Sequence, residues 1–118
     1  MKAVLMEGFG GVDVLKLGEA PKPQPAAGQV LIRVMATSIN RPDLVQRAGK
    51  YPPPPGESDI LGLEVAGVIE ELGAGVSGWK KGDRVMSLVG GGGYAEHAVA
   101  YANHPMRIPE SMSFEEAA

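Results

Sequence analysis

Seventeen glycines and ten prolines divide this 118-residue chain into short runs of Val, Ile, Leu and Met. Both residues interrupt helices, glycine through its backbone entropy and proline through its missing N–H, so long helices have little room. Brief strands between turns fit the same spacing well. Within Gln29 to Thr37, residues Val30, Ile32, Val34 and Ala36 alternate with Arg33 and Thr37 at the period of a pleated strand. Leu31 and Met35 add apolar groups to the second face, as expected of a central strand covered on both sides. Further strands are expected near Lys2 to Met6, Val12 to Leu17, Leu63 to Leu72, Asp83 to Leu88, Tyr94 to Ala100 and Met106 to Ile108. The chain therefore reads as mainly β, with Greek-key or barrel closure managing the sheet edges.

One helix of about two turns is expected from Pro42 to Ala48. Pro42 suits a first helical position, Asp43 complements the positive end of the helix dipole, and Gly49 can adopt the left-handed conformation that ends a helix. Pro52 to Pro55 then form a stiff, extended connector without backbone donors. Near the end of the sequence, Ser113 and Glu116 fit a capping box at a helix start. A helix opening so close to Ala118 leads us to expect a longer protein of which this is the front.

Charge and composition remove several function classes. With 44% hydrophobic residues and 14 acidic against 11 basic side chains, the chain reads as one globular domain with no basic block to engage nucleic acid. The absence of cysteine excludes disulfides, thiolate zinc sites and a cysteine nucleophile within these residues. Glu7 and Gly8 break the initial apolar run too early for a signal-peptide core, and no run approaches the ~20 apolar residues of a membrane span. A cytoplasmic protein without a membrane partner is the expectation.

Gly73-Ala74-Gly75-Val76-Ser77-Gly78 matches a dinucleotide-binding pattern, which requires a helix to begin at the loop so that its amides hold the pyrophosphate. Trp79-Lys80-Lys81-Gly82-Asp83 follows instead, so a turn between strands is expected. Gly90 to Gly93 likewise lacks a following helix and reads as a flexible hairpin or cleft rim. His97 and His104 have no metal-site spacing with carboxylates, and no nucleophile elbow accompanies them. Asn40 can cap the helix or donate its amide to a ligand, and Tyr51 offers a phenol nearby. Glu64 lies in an apolar run and needs a partner, with Arg41 or Arg47 as candidates, while Gly62 and Gly67 suggest close backbone approaches or bulges.

Several segments together carry a family resemblance: Met1 to Val4, Pro25 to Val34, Ser38 to Asp43, Arg47 to Tyr51, Leu61 to Ile69, Val76 with Gly82 to Val85, and Gly92 to Glu96. In this order and spacing the chain resembles the N-terminal GroES-like catalytic domain of zinc-independent quinone oxidoreductases, the zeta-crystallin-like branch of the medium-chain dehydrogenase/reductase superfamily. The resemblance implies a partly open β-barrel with one or two short helices, spanning residues 1 to 118. It further implies a following Rossmann domain that binds most of an NADPH, and a homodimeric full-length enzyme. Zinc-dependent relatives carry Cys and His where this sequence has Asn40 and Leu63, and the cysteine-rich lobe is missing between Leu88 and Tyr94, so neither zinc is expected. By the same resemblance Asn40 and Tyr51 are the candidate catalytic residues, Asn40, Asp43 and Tyr51 lie near the nicotinamide, and Leu63 and Glu64 line the substrate pocket. The implied reaction is hydride delivery from NADPH to a quinone or other α,β-unsaturated carbonyl. An enoyl reductase acting on acyl thioesters, or a non-enzymatic GroES-like binding module, are the alternatives.

Overall fold

The alternation along Gln29–Thr37 produces the strand on which the larger sheet is built. The computed structural model describes residues 1–118, which form two antiparallel sheets. β1 (Lys2–Met6) and β2 (Leu15–Glu19) make a two-stranded ribbon. β3 (Gln29–Thr37), β4 (Glu64–Leu72), β5 (Arg84–Leu88), β6 (His97–Tyr101) and β7 (Met106–Arg107) form the second sheet in the order β6-β3-β4-β5-β7. Two helices, α1 (Arg41–Arg47) and α2 (Phe114–Ala117), complete the chain.

The ribbon meets the larger sheet through a bridge between Ala3 and Ala95, flanked by bonds from Val4 N–H to Tyr94 O at 2.8 Å and Glu96 N–H to Lys2 O at 3.1 Å. β7 has no partner on its outer side, so the barrel stays partly open. Two expected boundaries move. Val12–Val14 form a 3-10 turn, closed from Val14 N–H to Gly11 O, and the strand begins only at Leu15. Tyr94 and Ala95 reach across to β1 instead of extending β6.

Val30, Ile32, Val65, Ile69, Val85, Val89, Ala98 and Ala100 form one buried cluster, with Val34, Val76, Trp79 and Ala102 packed on it. Each fully buried Val or Ile contributes roughly 1.5–3 kcal/mol of transfer free energy. On the second face Leu31 is fully buried outside that cluster but Met35 is exposed, so that face is covered only in part, and α2 lies against β3 and β4. The pairing of β3 with β4 slips twice. Leu31 opposes Glu71 but Ile32 opposes Ile69, leaving Glu70 unmatched; Val34 opposes Gly67 but Ala36 opposes Ala66, leaving Met35 unmatched. At the second slip a Cβ on Gly67 would lie 2.1 Å from the Arg33 carbonyl oxygen, so only glycine allows the strands this close.

The segment Gly73 to Gly78 is a turn between β4 and β5, with no helix behind it, as its sequence context requires. Gly90 to Gly93 departs from expectation. β5 and β6 do not pair, so there is no hairpin, and Gly91 to Gly93 are buried against residues 58–62 through Gly92 N–H to Ile60 O at 2.7 Å and Gly93 N–H to Gly62 O at 3.0 Å.

Candidate functional site

Beyond the last β3–β4 pair, Thr37 with Val65, one strand runs on through Ser38 to Asn40 and the other arrives through Gly62 and Leu63. Asn40 and Leu63 therefore end up at the same end of the sheet. Thr37 Oγ1 donates to the Glu64 carbonyl at 2.8 Å, and the Ser38 hydroxyl donates to Glu64 Oε1. Glu64 is thus partnered by a serine rather than by arginine; Arg47 instead donates from Nε to the Gly10 carbonyl at 3.2 Å. Half-buried at the start of a strand, Glu64 keeps enough solvent contact to need no counter-cation.

Asn40 is the N-cap of α1 and forms a capping box with Asp43. Its backbone N–H donates to Asp43 Oδ2 at 2.9 Å, and Asp43 N–H donates to the Asn40 carbonyl at 3.0 Å. Asp43 is 2% exposed, and its Oδ2 also accepts from the Tyr94 hydroxyl at 2.7 Å. Asp43 Oδ1 and Asn40 Nδ2 are buried without any partner. These are one acceptor and one donor at the start of α1.

Tyr94 was not legible as a site residue in the sequence. Gly62 places it: with φ +105°, a Cβ there would come within 2.7 Å of Gly93 Cα and of Tyr94 N and Cδ1. Burial, then the adjacent Asp43 carboxylate, pushes the Tyr94 phenol well above its ordinary value of 10, so it remains a donor at neutral pH. The signal was the Gly-Gly-Tyr run, whose glycines mark a close backbone crossing.

Tyr51 stands apart from this cluster and makes no hydrogen bond with it. On one side it shares a shallow hollow with Arg41, Pro42 and Lys50; on the other it walls a cavity of about 320 Å³ with Phe9 and Gln46. Away from the site, His97 Nε2 lies 2.9 Å from Glu70 Oε2, and Lys22 Nζ lies 3.2 Å from the same oxygen. Burial opposes charge on Glu70, but Lys22 and His97 outweigh it and hold the carboxyl below its ordinary range. No group of three or more His, Asp or Glu side chains is placed to hold a metal ion. At the positions of interest, Leu63 has no ligating atom and Asn40 offers only an amide, a donor set that does not fit zinc.

An antiparallel sheet left open at β7, with a capped helix at one sheet end, is the architecture of a GroES-like domain. Residues 26–110 match the alcohol dehydrogenase GroES-like domain, well over half of the chain, and the chain belongs to that family. It is 40% identical over 118 residues to the mouse synaptic vesicle membrane protein VAT-1 homolog-like, covering all of this chain and 28% of that protein. It is 41% identical over 120 residues to a rat quinone oxidoreductase, covering all of this chain and 36% of that protein. Among solved structures, the Escherichia coli quinone oxidoreductase complexed with NADPH superposes with a TM-score of 0.89 at 32% identity, over 99% of this chain and 36% of that one. The chain thus spans about a third of the length of the relatives it matches.

Proposed function

We propose that this chain is the substrate-side domain of a zinc-independent oxidoreductase that uses NADPH to reduce a quinone or other α,β-unsaturated carbonyl. The observation that carries this reading is the pair of orphaned atoms, Asn40 Nδ2 and Asp43 Oδ1, in a chain 41% identical to a quinone oxidoreductase along its whole length. A donor and an acceptor within one helix start suit a ligand that presents both functions, as the carboxamide and ribose of a nicotinamide nucleotide do. Asn40, Asp43 and Tyr51 are the residues proposed to hold that part of NADPH. When bound, NADPH supplies the hydride.

The work of the chain's own residues is positioning and polarisation. Asn40 Nδ2, buried at the start of α1 with no partner of its own, is the neutral N–H donor proposed to face the acceptor carbonyl. The Tyr51 phenol is the second donor proposed to face it. Each such pre-aimed donor is worth about 3 kcal/mol at a developing oxyanion in a dry site. Leu63, in place of a ligating histidine, presents an apolar wall that keeps water from the reacting carbon, with Glu64 beside it at the pocket edge. The remainder of the cofactor site is assigned to a Rossmann domain following this one, in a cytoplasmic homodimer.

NADPH oxidation by the full-length protein tests the reading, with a panel of quinones set against acyl thioesters. Quinone turnover that drops at least tenfold in Tyr51→Phe or Asn40→Ala supports it. Turnover of thioesters alone would favour an enoyl reductase, and activity with neither would favour a binding module.

A further inference from the structure

The cavity beside Tyr51 is built from three parts of the chain that meet at the C-terminal end of α1. The loop after β1 is latched to that end by Gly10 N–H to Arg47 O at 3.0 Å and Arg47 Nε to Gly10 O at 3.2 Å. The latch carries Phe9, whose ring lies over Gly49, where a Cβ would come within 2.9 Å of it; Gly49, at φ +84°, also ends the helix. Tyr51, Pro52 and Pro53 line the same cavity, together with Gln46 and Asp59. Gln46, 4% exposed, is fixed by a bond from Nε2 to the Asp59 carbonyl at 3.3 Å.

Phe9 is 68% exposed although it is one of only two phenylalanines in the chain. Held by two hydrogen bonds of its neighbour over a glycine, it gives an exposed apolar ring to a cavity that Tyr51 also lines. The volume, about 320 Å³, is at the small end of the range for small-molecule sites, roughly 300–1,000 Å³, and too small for a dinucleotide. Asp59 is the one lining residue charged at neutral pH, so the cavity disfavours anions such as the phosphates of an acyl-thioester carrier. Two aromatic rings and two proline faces favour a planar, neutral guest.

We propose that this cavity is the ring slot for a neutral, planar one- or two-ring carbonyl acceptor, with Phe9 as its specificity-determining wall. The proposal rests on the reading of the chain as a quinone-reducing domain and deepens it, because the slot selects quinones over acyl thioesters. Tyr51, which lines both this cavity and the hollow beside Arg41 and Pro42, then presents its hydroxyl as the donor to the guest's carbonyl.

Calorimetric titration of the full-length protein with 1,4-naphthoquinone, without NADPH so that no turnover occurs, reads the slot independently of the reaction. Saturable binding is expected, weakened roughly 3- to 10-fold by Phe9→Ala and restored by Phe9→Tyr. In the NADPH-dependent assay, Phe9→Ala should raise the KM for 1,4-naphthoquinone by a similar factor and reduce its preference over 1,4-benzoquinone. Equal affinity of wild type and Phe9→Ala, or no binding at all, overturns the slot. Binding that responds to Phe9→Ala in a protein that reduces no quinone keeps the slot and overturns the proposed reaction.

Discussion

Replacing Tyr94 by Phe removes a single oxygen and tests whether the Asp43 carboxylate depends on it. Asp43 Oδ2 accepts two bonds, from the Tyr94 hydroxyl at 2.7 Å and the Asn40 N–H at 2.9 Å, while Oδ1 accepts none. A hydrogen bond to a charged group contributes about 1.5–3 kcal/mol. Because Tyr94 is itself half-buried, water can replace part of what is lost, which places the cost near the lower end, about 1.5 kcal/mol. Urea unfolding of the 118-residue chain, with a slope of roughly 1.2 kcal/mol per M, should then show the midpoint fall by about 1 M. The dependence on pH adds a second readout. The folded phenol titrates above its ordinary value of 10, so Tyr94 contributes its full stability below pH 10 and loses it as the pH rises further. The gap between wild type and Tyr94→Phe should be constant at neutral pH and narrow above pH 10. A midpoint shift below about 0.3 M, or a gap that ignores alkaline pH, would refute the reasoning.

Other perturbations separate fold from site. Gly62→Ala forces a side chain into backbone at a positive φ and should cost about 2–4 kcal/mol, seen as a fall of at least ~8 °C in Tm. Asp83 is held below its ordinary value of 3.8 by the Lys80 N–H and then by Arg107, 3.2 Å away, so its stabilisation is present above that pH and lost below it. Asp83→Asn should therefore flatten the acid limb of a stability-against-pH curve measured by circular dichroism. Residues 1–118 alone should show negligible NADPH binding by calorimetry, and micromolar affinity would contradict the assignment of the cofactor to a second domain.

The strands were legible because alternation leaves a period of two in the sequence: Gln29 to Thr37 was expected as a strand and is β3 with the same limits. The helix at Pro42 was legible within one residue for a related reason, since caps and breakers are local chemistry. What escaped reading was non-local. Nothing near Glu64 in sequence announces that Ser38, 26 residues earlier, holds it, nor that Tyr94 reaches Asp43 across 51 residues. The glycine run at Gly90 to Gly93 looked flexible because glycine alone is flexible, yet its lack of side chains lets the Gly62 backbone lie against it and makes it rigid. Likewise Phe9 and Tyr51, 42 residues apart, line one cavity beside the latch at Gly10 and Arg47.

The two slips between β3 and β4 have opposite sense, one spare residue on each strand, so the pairing leaves Thr37 and Val65 with the same sum of positions as Val30 and Leu72. Deleting Met35 alone would keep Ala36 opposite Ala66 and Thr37 opposite Val65 but remove the second bulge. The bend and extra twist that an unpaired residue gives a strand would be lost there, changing the direction in which the chain runs on to Asn40. Natural variation in this stretch should accordingly substitute freely at exposed positions such as Met35 while conserving the count of residues between Ile32 and Asn40. The site's geometry is encoded there as a length.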